Sequence, residues 1–158
     1  MKLVVLAVGQ RMPAWVDAGF EEYARRMPRE SPLKLVEIRA EPRAEHETGN
    51  AERAVEAEAR RIDSAVPKGA LRVVLDERGR TCTTRELAQR MAAWQMEGRD
   101  VAFIIGGADG LSAAIKRDAH VMWSLTPLTL PHGLARIVVA EQLYRAHTIL
   151  KNHPYHRE

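Results

Sequence analysis

From Leu3 to Val8 every residue is apolar, and the run stops at Gly9. So short an apolar stretch before a turn residue predicts a buried strand over Lys2 to Val8. Beyond Pro13, the apolar residues Val16, Phe20, Tyr23 and Met27 recur every three or four positions, which predicts a helix that ends at Pro28. Leu33 to Ile38 alternates as a second strand, and the charged stretch Arg39 to Gly49 is expected to be a mobile loop. In Asn50 to Val66 an apolar stripe of Ala51, Val55, Ala59, Ile62 and Val66 predicts a surface helix with Asn50 as its N-cap. Leu71 to Leu75 reads as the third strand. Thr83 and Glu86 have capping-box spacing, Leu87, Met91 and Trp94 continue the inner face of a helix, and Gly98 ends it. Val101 to Ile105 is apolar throughout, which predicts a central strand covered on both faces.

Strand and helix alternate, so the fold class is α/β with a mostly parallel sheet flanked by helices. No linker-like composition divides residues 1–158, and one domain is expected. The last third differs in texture. Val121 to Leu130 is strand-like around Thr126 and Pro127, and Leu134 to Leu150 forms a helix too apolar to face water on most sides. Part of that helix is expected to meet a second copy of the chain in a homodimer.

Composition narrows the function. With 46% hydrophobic and 28% charged residues the chain has an ordinary globular balance. Its one cysteine, Cys82, excludes an internal disulfide and a thiolate zinc cluster within one chain. A net charge of +3 permits a nucleic-acid partner but is too small to hold RNA by charge alone. No apolar run approaches the roughly 20 residues that cross a bilayer, and the amino end has no signal-peptide pattern. A soluble, cytoplasmic protein without membrane attachment is expected.

Four stretches carry candidate chemistry. Gly106, Gly107, Ala108, Asp109 and Gly110 follow the Val101 strand, where an open α/β sheet binds ligands and bare glycines admit a close approach. They form neither a GxGxxG nor a Gly-Lys-Ser/Thr phosphate loop, so the pattern fits a tight structural turn as well as a cofactor loop. In Thr126 to Gly133, two prolines interrupt sheet pairing and leave backbone groups that could read the polar edge of an adenine; a surface loop leading into the last helix is the plainer reading. On that helix Glu141, Arg145, Thr148 and Asn152 share one narrow face. They are either a cleft-lining stripe or an exposed i,i+4 pair worth about 0.3–0.5 kcal/mol. The final stretch, Asn152 to Glu158, is dense in reactive types: tyrosine to stack on a base, arginine to hold phosphate or a carbonyl oxygen, histidine to move a proton. His153 and His156 lack a third ligand, so no metal is expected.

The segments IIGGADGL (Ile104 to Leu111), WSLTPLTLPH (Trp123 to His132) and EQLYRAHTILKNHPYHRE (Glu141 to Glu158), with the opening MKLVVLAVGQRMPAWVDAGFEEYARRMP, strongly resemble the ribosomal large-subunit methyltransferase H family of the SPOUT superfamily. The resemblance spans nearly the whole chain. It implies an α/β fold with a deep carboxyl-terminal trefoil knot, a homodimer, and transfer of a methyl group from S-adenosylmethionine to N3 of a pseudouridine in large-subunit ribosomal RNA, in the assembled ribosome and without a metal. By the same resemblance Leu75, Gly107, Thr126, Pro127, Leu128, Thr129, Leu130 and Pro131 match cofactor-binding positions. The proton on N3 must leave; Glu141, His153 and Tyr155 are the candidate bases, while Arg145 or Arg157 could stabilise charge on the neighbouring carbonyl oxygens. The competing readings are a non-catalytic ribosome- or RNA-binding α/β module, and a nucleotide enzyme that would lack a phosphate-binding lysine.

Overall fold

The computed structural model describes residues 1–42 and 50–157. Its strands are β1 (Leu3–Val8), β2 (Leu33–Ile38), β3 (Leu71–Arg80), β4 (Val101–Ile105) and β5 (Val121–Trp123); its helices are α1 (Ala14–Ala24), α2 (Asn50–Ala65), α3 (Thr84–Glu97), α4 (Ala113–Arg117) and α5 (His132–Leu150). A 3₁₀ turn, Pro154–His156, follows α5. The strands form one parallel sheet in the order β2-β1-β4-β3-β5.

The pleat sorts the core into two layers, because successive side chains on a strand point to opposite faces. Val101, Phe103 and Ile105 of β4 face one cluster with Phe20 of α1, Leu87, Met91 and Trp94 of α3, and Val139, Leu143 and Ala146 of α5. Ala102 and Ile104 face the other, with Ile62 of α2 and Ile115 of α4. All five residues of β4 are buried, as expected for an apolar strand between two neighbours and under helices on both sides.

Local chemistry sets the boundaries. Thr83 Oγ1 accepts from Glu86 N at 3.2 Å and Glu86 Oε2 accepts from Thr83 N at 2.6 Å, completing the capping box of α3. Gly98 ends that helix in the left-handed region with φ 68°. Of the predicted stripe, Ile62 is buried and Ala59 and Val66 pack against the core, while Ala51 is exposed; the fully buried face of α2 runs through Ala54, Glu58 and Ile62. Glu58 tolerates burial because its Oε2 accepts from Glu41 N at 2.9 Å. Residues 43–49, most of the expected mobile loop, lie outside the described residues, as does the side chain of Asn50 expected as the N-cap. Helix α4 was not predicted from its composition; its start is fixed by Ser112 Oγ, which accepts from Ile115 N at 3.1 Å. The strand expected across Val121 to Leu130 stops at Trp123, because Pro127 and Pro131 cannot donate to a ladder.

Helix α5 starts at His132 and is covered along much of its length within the chain, between α1 and α3. Two glycines let α1 approach it closely: a Cβ on Gly19 would lie 2.6 Å from Ile137 Cδ1, and one on Gly133 would lie 2.7 Å from Val16 Cγ2. Intramolecular packing therefore accounts for most of the apolarity of α5. What is left over is smaller: Leu134 and Leu150 on α5, with Trp15 and Leu128 beside its amino end, remain exposed. Among the described residues no helix is long and apolar enough to cross a membrane.

Candidate functional site

A cleft of about 920 Å³ opens at the carboxyl ends of four strands, where Val8 of β1, Leu75 of β3, Ile105 of β4 and Trp123 of β5 come together. Ligands of open α/β sheets bind at this end of the strands, and the size is near the top of the roughly 300–1,000 Å³ range of small-molecule sites.

Three turns wall the cleft. The first is the glycine turn, closed by Gly110 N donating to Gly107 O at 3.0 Å, with Gly110 at φ 76°. It is both a tight turn and a cleft wall, so the two readings of this segment are compatible. A Cβ on Gly107 would meet Val8 Cγ1 at 2.9 Å and Glu58 Oε1 at 3.6 Å. The glycine is needed so that the turn can lie against β1.

The second wall is the segment after β5. Ser124 Oγ donates to Thr126 O at 3.1 Å and Thr126 Oγ1 accepts from Leu128 N at 3.1 Å, which folds the segment into a compact turn. Thr126, Leu128, Thr129 and Leu130 line the cleft; Pro127 and Pro131 do not. Pro131 instead serves as the N-cap residue of α5, its carbonyl accepting from Ala135 N at 3.0 Å.

The third wall is a bulge that sequence reading missed. Pairing of β3 with β5 breaks after Leu75–Trp123 and resumes at Arg80–Trp123, and the excluded residues Asp76, Glu77 and Arg78 turn into the cleft. Lys116 of α4 holds Asp76 with a 2.9 Å ion pair, and Arg78 N donates to Asp76 Oδ1 at 2.8 Å. Burial raises the pKa of Asp76, but these two donors outweigh it and the carboxyl sits below its usual range. Gly79 closes the bulge where no side chain fits: its Cβ would lie 2.7 Å from Trp123 C and 2.8 Å from Met122 O.

His132 and Arg136 stand one helical turn apart behind the cleft. Arg136 is fully buried, donating from Nη1 to Glu37 Oε2 at 2.9 Å and from Nη2 to Gly9 O at 2.8 Å, so it ties the end of β1 to α5. His132 lines the cleft, and its Nε2 is enclosed without a partner among the described residues. Burial, reinforced by the charge of Arg136, lowers its pKa against the opposing pull of the Gly106 carbonyl, which favours the neutral ring.

The remaining predicted residues gather elsewhere. Tyr155 Oη donates to Glu141 Oε1 at 3.0 Å, Arg145 Nε donates to the same oxygen at 2.8 Å, and Gln142 Nε2 donates to Glu141 Oε2 at 2.7 Å. The Arg145 guanidinium lies 4.9 Å from the centre of the Tyr155 ring, which meets Tyr144 edge-on at 4.7 Å. The polar stripe of α5 is thus neither a bare exposed pair nor a wall of the cleft; it is the seat of the last residues. Thr148 is buried and satisfied by Arg145 O at 2.6 Å, and Asn152 is exposed. His153 Nδ1 caps the final turn by accepting from Tyr155 N at 3.2 Å, while Arg157 is exposed. None of Glu141, Arg145, His153, Tyr155 or Arg157 lines the cleft. Along α5, Glu141 stands six residues, about 9 Å at 1.5 Å per residue, beyond Ala135, the last residue of the helix that lines the cleft. Among the described residues no group of three potential metal ligands occurs.

Residues 1–156 match the sequence model of a family described as "Predicted SPOUT methyltransferase". The chain is 54% identical over 157 residues to the ribosomal RNA large subunit methyltransferase H of Burkholderia mallei and to that of Burkholderia pseudomallei, covering 99% of each chain. Among solved structures, it resembles a methylase family protein from Haemophilus influenzae (TM-score 0.57, 16% identity, 99% of this chain and 70% of the other). It also resembles one from Neisseria gonorrhoeae (TM-score 0.53, 17% identity, 90% and 80%). At these identities the structural likeness speaks to the fold.

Proposed function

The chain belongs to the SPOUT methyltransferase family, and from that membership we propose that it methylates N3 of a pseudouridine in large-subunit ribosomal RNA, within the assembled ribosome, using S-adenosylmethionine. Ribosomal RNA methylation is the activity named for its full-length relatives; the base, the atom and the methyl donor are the finer part of the reading. The observation that supports it is the cleft at the strand ends, walled by the glycine turn and the Thr126 to Leu130 turn, the two segments that the resemblance matches to cofactor-binding positions.

The residues present fit the donor. The amides of Thr129 and Leu130 donate to no protein acceptor among the described residues and are available to an adenine edge. Leu75, Leu128 and Leu130 offer apolar surface to its ring, while Lys116 and the Asp76 carboxylate offer charged partners to a zwitterionic amino-acid end. When bound, S-adenosylmethionine supplies an electrophilic methyl group on a sulfonium.

The protein's own task is to position the base and remove the N3 proton. Tyr155 is a hydrogen-bond donor for this purpose: burial first, and then its bond to Glu141, push the phenol up to about 12. That leaves Glu141 and, through Nε2, His153 as proton acceptors, with Arg145 and Arg157 near the carbonyl oxygens. Because none of these groups lines the cleft of its own chain, the reading has them act in a homodimer in which one copy's final residues serve the partner's cleft. A single domain with a deep carboxyl-terminal knot belongs to the same reading and is supported by the family relation.

The test is incubation with radiolabelled S-adenosylmethionine and assembled ribosomes, separated subunits or naked RNA, followed by mapping of the label. Absence of transfer to any of them, or label on a different base, would overturn the proposal.

A further inference from the structure

A second cavity, of about 200 Å³, lies between α3 and the β3–β5 pair and is apolar on the side of Leu87, Trp94, Val121 and Trp123. Arg80, Arg90 and Cys82 line it as well, and a recess of about 290 Å³ shares those same three residues. Neither guanidinium has a hydrogen bond or a close ion pair among the described residues, although both lie near enough to the Glu86 carboxylate to favour its charged form. The carboxylate of Glu86, which lines the recess, is engaged by the amide of Thr83. Trp123 is 6% exposed, and its indole N–H is enclosed with no acceptor. An enclosed donor without a partner is destabilising unless something supplies an acceptor. The cavity thus combines two indole walls, one indole N–H without an acceptor and two guanidinium groups with no hydrogen bond among the described residues.

We propose that this cavity binds one nucleotide unit, its base among the apolar walls with a ring carbonyl accepting from Trp123 Nε1, and its phosphate on Arg80 and Arg90. Indole surfaces receive bases of any sequence, and guanidinium forks match phosphate oxygens. A phosphate without a flat body would leave the indole donor unused, and an apolar ring without charge would leave the arginines unused. Trp123 also lines the large cleft, so a nucleotide here sits against the strand that leads into the Thr126 to Leu130 turn. The inference rests on the RNA-directed reading only for the source of the nucleotide, a segment of RNA or a free molecule.

The test uses the full-length dimer with its large cleft saturated by S-adenosylhomocysteine. Cys82 is the only cysteine, so alkylation of the chain reports on this cavity. Uridine 5′-monophosphate is expected to slow alkylation of Cys82 saturably and to quench indole fluorescence, while uridine alone does so only at higher concentration. Replacing both arginines, Arg80→Gln with Arg90→Gln, should weaken protection by about tenfold or more, as loss of charge-assisted hydrogen bonds does. The Arg80→Lys, Arg90→Lys pair should recover part of it with an unchanged urea midpoint. A uridine-rich RNA oligomer that protects at far lower concentration than the monophosphate identifies RNA as the source; equal potency identifies a free nucleotide. No saturable protection by any of these ligands, or protection unaffected by the Gln pair, overturns the site. Alkylation is read without methyl transfer, so failure of this proposal and failure of the methylation reading are separately visible.

Discussion

Tyr155 Oη reaches back 14 residues to donate a 3.0 Å hydrogen bond to Glu141 Oε1, the oxygen that also accepts from Arg145 Nε. The bond fastens the last turn of the chain to the middle of α5. Tyr155→Phe should therefore slow single-turnover methylation of ribosomes by about 10- to 100-fold, the range for a hydrogen bond to a charged group, while calorimetric affinity for S-adenosylmethionine stays near wild type. With its phenol pushed up to about 12, Tyr155 should add no step to the wild-type rate profile across roughly pH 6 to 9. Equal loss of cofactor affinity and rate would show that the two sites do not separate.

Gly79 is expected to be irreplaceable. Its Cβ would press on the backbone of Met122 and Trp123 at 2.7–2.8 Å, and backbone within a sheet cannot turn aside as a side chain can. Gly79→Ala should lower stability by about 1–3 kcal/mol, as overpacking does, read as a fall in urea midpoint. Because the same bulge presents Asp76 to the cleft, cofactor affinity should fall with it. Gly69, whose Cβ would meet nothing within 4 Å but whose φ is 77°, is the comparison: Gly69→Asn should be tolerated, since asparagine accepts left-handed backbone.

Acid should destabilise the fold through His132. Burial, then the Arg136 charge, depresses its pKa below 6.5, and His147 is depressed in the same sense by burial and Lys151. The unfolded chain takes up these protons first as pH falls, so their contribution is complete above 6.5 and is lost between 6.5 and the lower folded values. Urea midpoints measured against pH should show this slope, and His132→Asn should remove its share while leaving that of His147. An unchanged slope would place the acid sensitivity elsewhere.

Dimerisation should depend on the exposed apolar residues beside the α1–α5 contact. Trp15 is 58% and Leu134 36% exposed, and each is the sequence neighbour of a residue in the tight Val16–Gly133 contact. Light scattering should find two chains per particle, and Trp15→Glu with Leu134→Glu should give monomers that keep cofactor affinity but lose transfer. A wild-type monomer at micromolar concentration that still methylates ribosomes would sink the composite-site reading.

The order of elements was legible because each carries a local signal: the capping box of Thr83 and Glu86, the stop at Gly98, the unbroken apolar run of β4. The glycine and Thr126 turns were singled out mainly through the family resemblance, and the fold brings both to one cleft. The bulge was not, since Asp76 to Gly79 reads as an ordinary charged turn, and its purpose depends on Trp123, more than forty residues away. Arg136 was equally hidden: an arginine on an apolar helix looks like a surface residue until Glu37 and the Gly9 carbonyl close around it. The fold-back of Tyr155 onto α5 was not legible, because the partner that seats it, Glu141, was visible only as one member of a stripe.

Because the cleft borrows its walls from the ends of β1, β3, β4 and β5, which are dispersed from Val8 to Trp123 along the chain, no short fragment contains it. A bound ligand therefore acts as a strut between stretches that would otherwise open independently, and it raises the free energy of every excursion that separates any one of them. Amide hydrogen exchange should register this as a shared slowing in all four strand ends at once, with little change in the outer strand β2. Occupancy of the cleft is thus also a statement about which parts of the chain breathe together.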